Sequence, residues 1–256
     1  MQCGRVVYTE ALTTGLQALT AMKIITKEWV NHRPLLSFTA LTFAITFALW
    51  GLLLLLYGRA PIDELIGRPS ALLLVYLGAG GPRIAGVVLT AYTDGRSGLL
   101  ALRKRFLTFR FSALAWLTAL LLPLILAALA ITFANPGRDA LGEWVLPDGY
   151  LMIPLAAVPV FFAGPLCEEL GWRGYLQPKL MAHNSPWLTA ILIGTVWCFW
   201  HVPLSFTPGT TPTLDTSTAW LLYWADTILI SAIMLVIVIW AKGRVFAAMV
   251  FHWMSN

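Results

Sequence analysis

The sequence predicts an all-α fold, a polytopic bundle of transmembrane helices, and three observations carry that prediction. Hydrophobic residues fill 59% of the 256 positions and charged residues only 11%, where a soluble domain carries about 25% charged and roughly 45–50% apolar residues. Too little polar material remains to coat a water-facing surface. Apolar runs of about 20 residues, each long enough to cross a hydrocarbon core of roughly 30 Å as a helix, recur along the chain. Lysine and arginine collect on one side of the alternating runs, as the positive-inside rule requires.

The first run is 35–57, with Leu52 to Leu56 ahead of Tyr57. The second, 71–92, contains Gly78, Gly80, Gly81, Pro82 and a lone Arg83. The third is 112–134. The fourth begins near 150, with a helix expected to run on to about 181. The fifth is 186–206 and the sixth 218–241. A seventh opens near 245 and meets Asn256 after about 12 residues, too short to cross a bilayer. The expectation is therefore about seven spans with the last one truncated. Residues 1–34 form a cytoplasmic or interfacial leader, and residues 35–256 one transmembrane domain with its catalytic core at about 150–256.

On the leader's side lie Arg5, Lys23, Lys27, Arg33, Arg96, Arg103, Lys104, Arg105, Arg110, Lys179, Lys242 and Arg244. The other side holds Arg59, Arg68 and Arg138. That asymmetry puts the N-terminus in the cytoplasm. The stretch Ser97 to Phe111 reads either as a helix lying on the cytoplasmic interface or as a solvated basic loop. Pro208 to Pro212 reads as a short external loop. The leader has no clean apolar stretch followed by a small-residue cleavage site, so no signal peptide is expected, and Met22 is an alternative start.

Two function classes fall away. The formal charge of +5 is explained by topology, which leaves no case for nucleic-acid binding. Three cysteines, two of them (Cys167 and Cys198) inside apolar runs, do not make a disulfide framework.

Ionisable side chains at membrane depth cost several kcal/mol, so each needs a reason to be there. The acids within spans are Glu168, Glu169 and Asp226, and the histidines in apolar helix are His201 and His252. Adjacent carboxylates on a helix point about 100° apart. Arg173 follows Glu169 by four residues and shares its face. Glu169 is then neutralised by Arg173, and Glu168 is left to take up a proton, which suits a general base. An ion-pair network that only locks helices together is the structural alternative. His201 by itself reads more readily as a hydrogen-bonding packing histidine than as a catalyst. His252 and Asn256, at i and i+4, share one helix face. Counted along their helices from the basic ends, Glu168 and His201 lie roughly 22–25 Å deep and His252 and Asn256 roughly 12–18 Å. One plane on the cytoplasmic side of the bilayer centre can hold all four.

Glu168-Glu169-x-x-x-Arg173, an aromatic-x-x-x-His201 and His252-x-x-x-Asn256, in this order on three spans, resemble the CPBP intramembrane peptidases. That family includes the type II CAAX prenyl proteases and the Abi proteins tied to bacteriocin self-immunity. Gly81-Pro82 and Asp94-Gly95-Arg96-Ser97-Gly98-Leu99 are also similar, and the likeness covers about residues 35–256. It implies hydrolysis of a peptide bond of a membrane-associated peptide, with a prenylated CAAX-type peptide as one such substrate. Glu168 and His201 would activate water, His252 and Asn256 would stabilise the oxyanion, and Glu169 with Arg173 would support them. No cofactor is certain. Zn²⁺ is compatible with the residue types, with Glu168, His201 and His252 as its ligands, and a metal-free glutamate mechanism is the favoured form. Partners would be membrane lipid and a lipidated peptide, in a bacterial plasma membrane, with the site opening toward the cytoplasm.

The sequence departs from the family pattern twice. Trp197 stands where the second motif usually has Phe, which is expected to change packing little, and Asn256 is the last residue. A bacteriocin-binding immunity protein without catalysis and a transporter with a proton relay are the rival functions. Asp226 is expected in a polar contact between helices or near the outer interface, and Arg83 is expected to snorkel or to pair with a carboxylate. Cys167 and Cys198 are expected to be apolar packing groups, while Trp172, Trp197 and Trp200 are candidates for a substrate groove.

Overall fold

The computed structural model describes residues 26–134, 158, 160–162, 164–210 and 217–256. Expectations that fall on residues 1–25, on Arg138 or on the first half of the fourth span lie outside the described residues. Among the described residues every regular element is helical. In chain order these are α1 (Lys27–His32), α2 (Pro34–Tyr57), α3 (Ile62–Ile66), α4 (Pro69–Ala79), α5 (Gly81–Leu107) and α6 (Ala113–Ala134). Then come α7 (Pro165–Glu169), a π-helical segment (Leu170–Leu176), α8 (Gln177–Met181), α9 (Pro186–Trp200), a 3₁₀ turn (Val202–Phe206), α10 (Ser217–Trp240) and α11 (Phe246–Ser255).

Three of these stretches are long and apolar enough to cross a membrane: Pro34–Tyr57, Pro186–Phe206 and Ser217–Trp240. Paired α4 and α5, bent by 44° at Gly80, make a fourth. The expected spans at 35–57, 186–206 and 218–241 thus reappear within a residue or so. The second differs from expectation, because it breaks at Gly80 and its far half runs on to Leu107. The Ser97–Phe111 stretch is therefore helical through Leu107. It is set off from the span at Gly95, whose φ of 64° is a left-handed conformation that glycine tolerates.

Large apolar side chains point outward, as lipid allows and water does not. Leu55 is 84% and Phe133 80% exposed. The interior reverses the pattern of a soluble protein, since Glu168, Glu169, Arg173 and His252 are all buried.

The charge asymmetry read from the sequence is laid out in space. At one end of the bundle Lys179 Nζ meets Asn31 at 2.8 Å and Asp94 at 3.2 Å. There too Arg105 donates to the Gly174 carbonyl, and the Val245 N–H bonds the Arg105 carbonyl. The loops of the opposite end are tied by the Ile62 N–H donating to the Pro208 carbonyl, with Arg59 over the Phe206 ring.

The segment that carries the paired glutamates is locked by small residues. At Gly171, in the π-helical segment, an added Cβ would collide with the backbone carbonyl of Pro82 at the start of α5. Only glycine permits that approach, so Gly81-Pro82 fixes the height of the 165–176 stretch in the bundle.

Candidate active site

Glu168 and Glu169 close the short helix α7, directly before the chain widens into the π-helical segment. π-helical turns recur at functional sites, where they shift side chains away from the α-helical register. Arg173 nevertheless reaches Glu169 as expected, with Nε 2.9 Å from Oε2 and both side chains fully buried. The Nε–H does not point squarely along that line, so the contact is an ion pair without the alignment of a hydrogen bond. The other Glu169 oxygen, Oε1, lies 2.8 Å from Nδ1 of His252. Both oxygens of Glu169 are therefore taken up, one by the guanidinium and one by the imidazole.

Glu168 turns the other way. Its Oε2 accepts a hydrogen bond from the indole N–H of Trp197 at 2.8 Å. Its Oε1 lies on the side of Gly164 and Asn256, where a Cβ built on Gly164 would stand 3.0 Å from the Asn256 amide nitrogen and 3.7 Å from Oε1. The lack of a side chain at Gly164 keeps the space between the carboxylate and the amide open.

The two histidines are held differently, and their partners set their tautomers. Nδ1 of His201 sits 2.9 Å from the Trp197 carbonyl. A carbonyl only accepts, so Nδ1 carries the proton and Nε2 of the neutral ring is a free acceptor. Nδ1 of His252 faces the Glu169 carboxylate and donates to it. A second donor at Nε2 then requires the imidazolium, whose charge the neighbouring carboxylate balances. The Trp200 and Tyr223 rings pack edge-on against His201, at centroid distances of 4.6 and 5.8 Å.

Glu168, His201, His252 and Asn256 all line one cavity of about 480 Å³. The sequence separates them by up to 88 positions, and the fold brings them together. Glu169 and Arg173 stand behind that wall. Trp197, Trp200, Tyr223 and Asp226 line the same cavity, while Trp172 is fully buried outside it. The walls also include Ile62, Gly209 and Thr210 from the loops at the end remote from the basic residues. The described cavity therefore reaches the end of the bundle remote from the basic residues. The reason is local: Glu168 sits at the start of its helical stretch, not near the basic end.

The residue types raise the question of a metal. One ligand atom each from Glu168, Glu169 and His252 lies within 4.8 Å of the others. That trio differs from the expected Glu168, His201 and His252, because Glu169 takes the place of His201. Its members already have partners: Glu169 pairs with Arg173 and His252, and one Glu168 oxygen accepts from the Trp197 N–H. A guanidinium paired to one prospective ligand opposes a dication at the same place, so the donor set fits an ion-pair network better than a preformed cation site.

Three side chains behave differently from expectation. Trp197 is a hydrogen-bond donor to Glu168 as well as a packing ring, set against His201 and His252. The only sequence signal for it was that an indole, unlike a phenyl ring, has an N–H. Arg83 reaches the Cys167 thiol at 3.5 Å instead of a carboxylate. Cys167 is buried but polar in its contacts, since its thiol also lies 2.9 Å from the Phe162 carbonyl.

A family model described as type II CAAX prenyl endopeptidase Rce1-like matches residues 150–256. A protein of Methanococcus maripaludis named CAAX prenyl protease 2 is 27% identical over 182 residues, which cover 69% of this chain and 64% of that protein. The chain thus spans a little under two thirds of the relative's length.

Proposed function

We propose that this protein is an intramembrane endopeptidase of the CPBP type acting on a lipidated, membrane-associated peptide of the CAAX type, a reading supported by the match of residues 150–256 to the type II CAAX prenyl endopeptidase model. The observation that carries the reading is the unequal fate of the paired glutamates. Glu169 is closed off by two cations or donors, and Glu168 keeps one oxygen toward the cavity that His201, His252 and Asn256 share.

In this reading Glu168 Oε1 takes a proton from water, and Nε2 of His201 orients that water by accepting its second hydrogen. The oxygen attacks the scissile carbonyl carbon, and the carbonyl electrons move onto its oxygen. The Asn256 amide and His252 Nε2–H donate to the resulting oxyanion, where one such donor is worth about 3–4 kcal/mol. Glu168 then returns its proton to the departing amine. Trp197 holds the second Glu168 oxygen and so keeps the first one aimed at the cavity. Water activation by the carboxylate itself is favoured over a metal because Arg173 neutralises the neighbouring glutamate. The protein resides in the membrane with its N-terminus in the cytoplasm, as the distribution of Lys and Arg implies.

The test is cleavage of fluorogenic prenylated peptides in liposomes by wild type and Glu168→Gln, each with and without a chelator. Cleavage that the substitution abolishes and the chelator spares supports the proposal. Loss on chelation replaces the carboxylate mechanism with a metal one. A Glu168→Gln protein as active as wild type overturns the assignment of the base, and a wild type inert across the panel favours a binding-only immunity protein.

A further inference from the structure

A second concavity, of about 540 Å³, lies at the basic end of the bundle, where the start of α2 faces α8 and α9. That volume falls in the range of small-molecule sites, roughly 300–1,000 Å³. Its mouth is ringed by His32, Arg33, Lys179 and His183, and no carboxylate lines it. Below the mouth the wall is apolar, formed by Leu35, Leu192 and Val196. Val196 stands ten residues into α9, about 15 Å below its start.

The cations are not equally spent. Lys179 is the more committed: two of its three N–H donors go to Asn31 and Asp94, and its ammonium lies 5.5 Å from the Tyr175 ring centroid. Arg33 lies over the Trp29 ring at 5.7 Å and is exposed at the rim. His32 and His183 are exposed at the same rim. Thr39, on the same wall about 8 Å below the start of α2, has a hydroxyl without a hydrogen-bond partner.

We propose that this groove holds one anionic glycerophospholipid. Its phosphate would sit among Arg33, Lys179 and His183, an ester carbonyl at the depth of Thr39, and one acyl chain along Leu192 and Val196. Charge and polarity change together with depth, cationic at the rim and apolar beneath. That profile matches a lipid with a net negative headgroup, and neither a free anion nor an uncharged hydrocarbon reproduces it. The site is independent of the peptidase reading, because none of its residues touches the cavity around Glu168.

The full-length protein would be reconstituted in vesicles of equal parts phosphatidylglycerol and phosphatidylcholine, extracted briefly in mild detergent, and its retained lipid read by native mass spectrometry. The expected result is one retained phosphatidylglycerol in preference to phosphatidylcholine. Arg33→Gln should cut that preference about fivefold, the worth of one cationic side chain at an anionic surface. Leu192→Trp, which fills the groove, should abolish retention while the thermal unfolding curve stays near that of wild type. Should Leu192→Trp fail to fold, the exposed rim variants Arg33→Gln and His183→Gln decide alone. Equal retention of both lipids, or retention unchanged in the rim variants, would mean an ordinary lipid annulus and overturn the proposal. Displacement by inorganic phosphate would reduce the site to an anion site, and displacement by a prenylated peptide would assign the groove to substrate; either result overturns it too.

Discussion

Glu168 and Glu169 are neighbours in sequence and both buried, yet their surroundings divide them. Glu169 looks into the protein, where Arg173 and His252 saturate it. Glu168 looks into a cavity, with one oxygen on an indole N–H and the other open. The difference teaches that burial alone does not select a reactive carboxylate. A group with both oxygens taken up serves as structure, and the one beside it, with one oxygen on an indole N–H and the other facing the cavity, remains available for chemistry.

The sharpest way to break the comparison is to neutralise each carboxylate in turn. Glu168→Gln keeps the volume and removes the base, so peptide cleavage should fall about 10²–10⁴-fold with an unchanged midpoint of unfolding. Glu169→Gln should do the reverse in kind. It leaves Arg173 as an uncompensated buried charge, a defect that costs about 3–5 kcal/mol, visible as a marked loss of thermal stability in detergent. If Glu169→Gln unfolds like wild type, or Glu168→Gln is the one that destabilises, the division of labour is wrong.

Asn256→Ala tests the open side of the comparison. Loss of one oxyanion donor should lower kcat about 10²–10³-fold with little change in KM, since the interaction forms only as the carbonyl becomes tetrahedral. An effect on KM alone would instead make Asn256 a substrate-binding residue. The smallest effect is expected at Trp197→Phe, which keeps a ring and deletes the N–H that holds Glu168. A hydrogen bond to a charged group is worth about 1.5–3 kcal/mol, so kcat should drop by about 10- to 150-fold while KM holds. A variant as active as wild type would return Trp197 to a packing role.

The sequence alone determined the fold class, the side on which the basic residues gather, and the positions of the spans at 35–57, 186–206 and 218–241. These follow from composition and length, which the bilayer reads residue by residue. It also determined the pairing of Glu169 with Arg173, because a spacing of four within one helix is a local rule. The division between the two glutamates was legible for the same reason.

Tertiary structure decided the rest. That His252 closes on Glu169 and that Trp197 donates to Glu168 are contacts between residues 83 and 29 positions apart, set by how helices stack and not by periodicity. The π-helical segment after Glu169, the 44° bend at Gly80 and the commitment of Arg83 to Cys167 are likewise invisible in a hydropathy pattern. An apolar run states that a helix crosses the membrane. It does not state how far that helix is rotated or raised, and a close backbone contact such as Gly171 on Pro82 supplies that information. In a medium that favours no helix face by hydrophobicity, small-residue contacts and polar pairs choose the rotation, and the rotation chooses which glutamate meets the cavity.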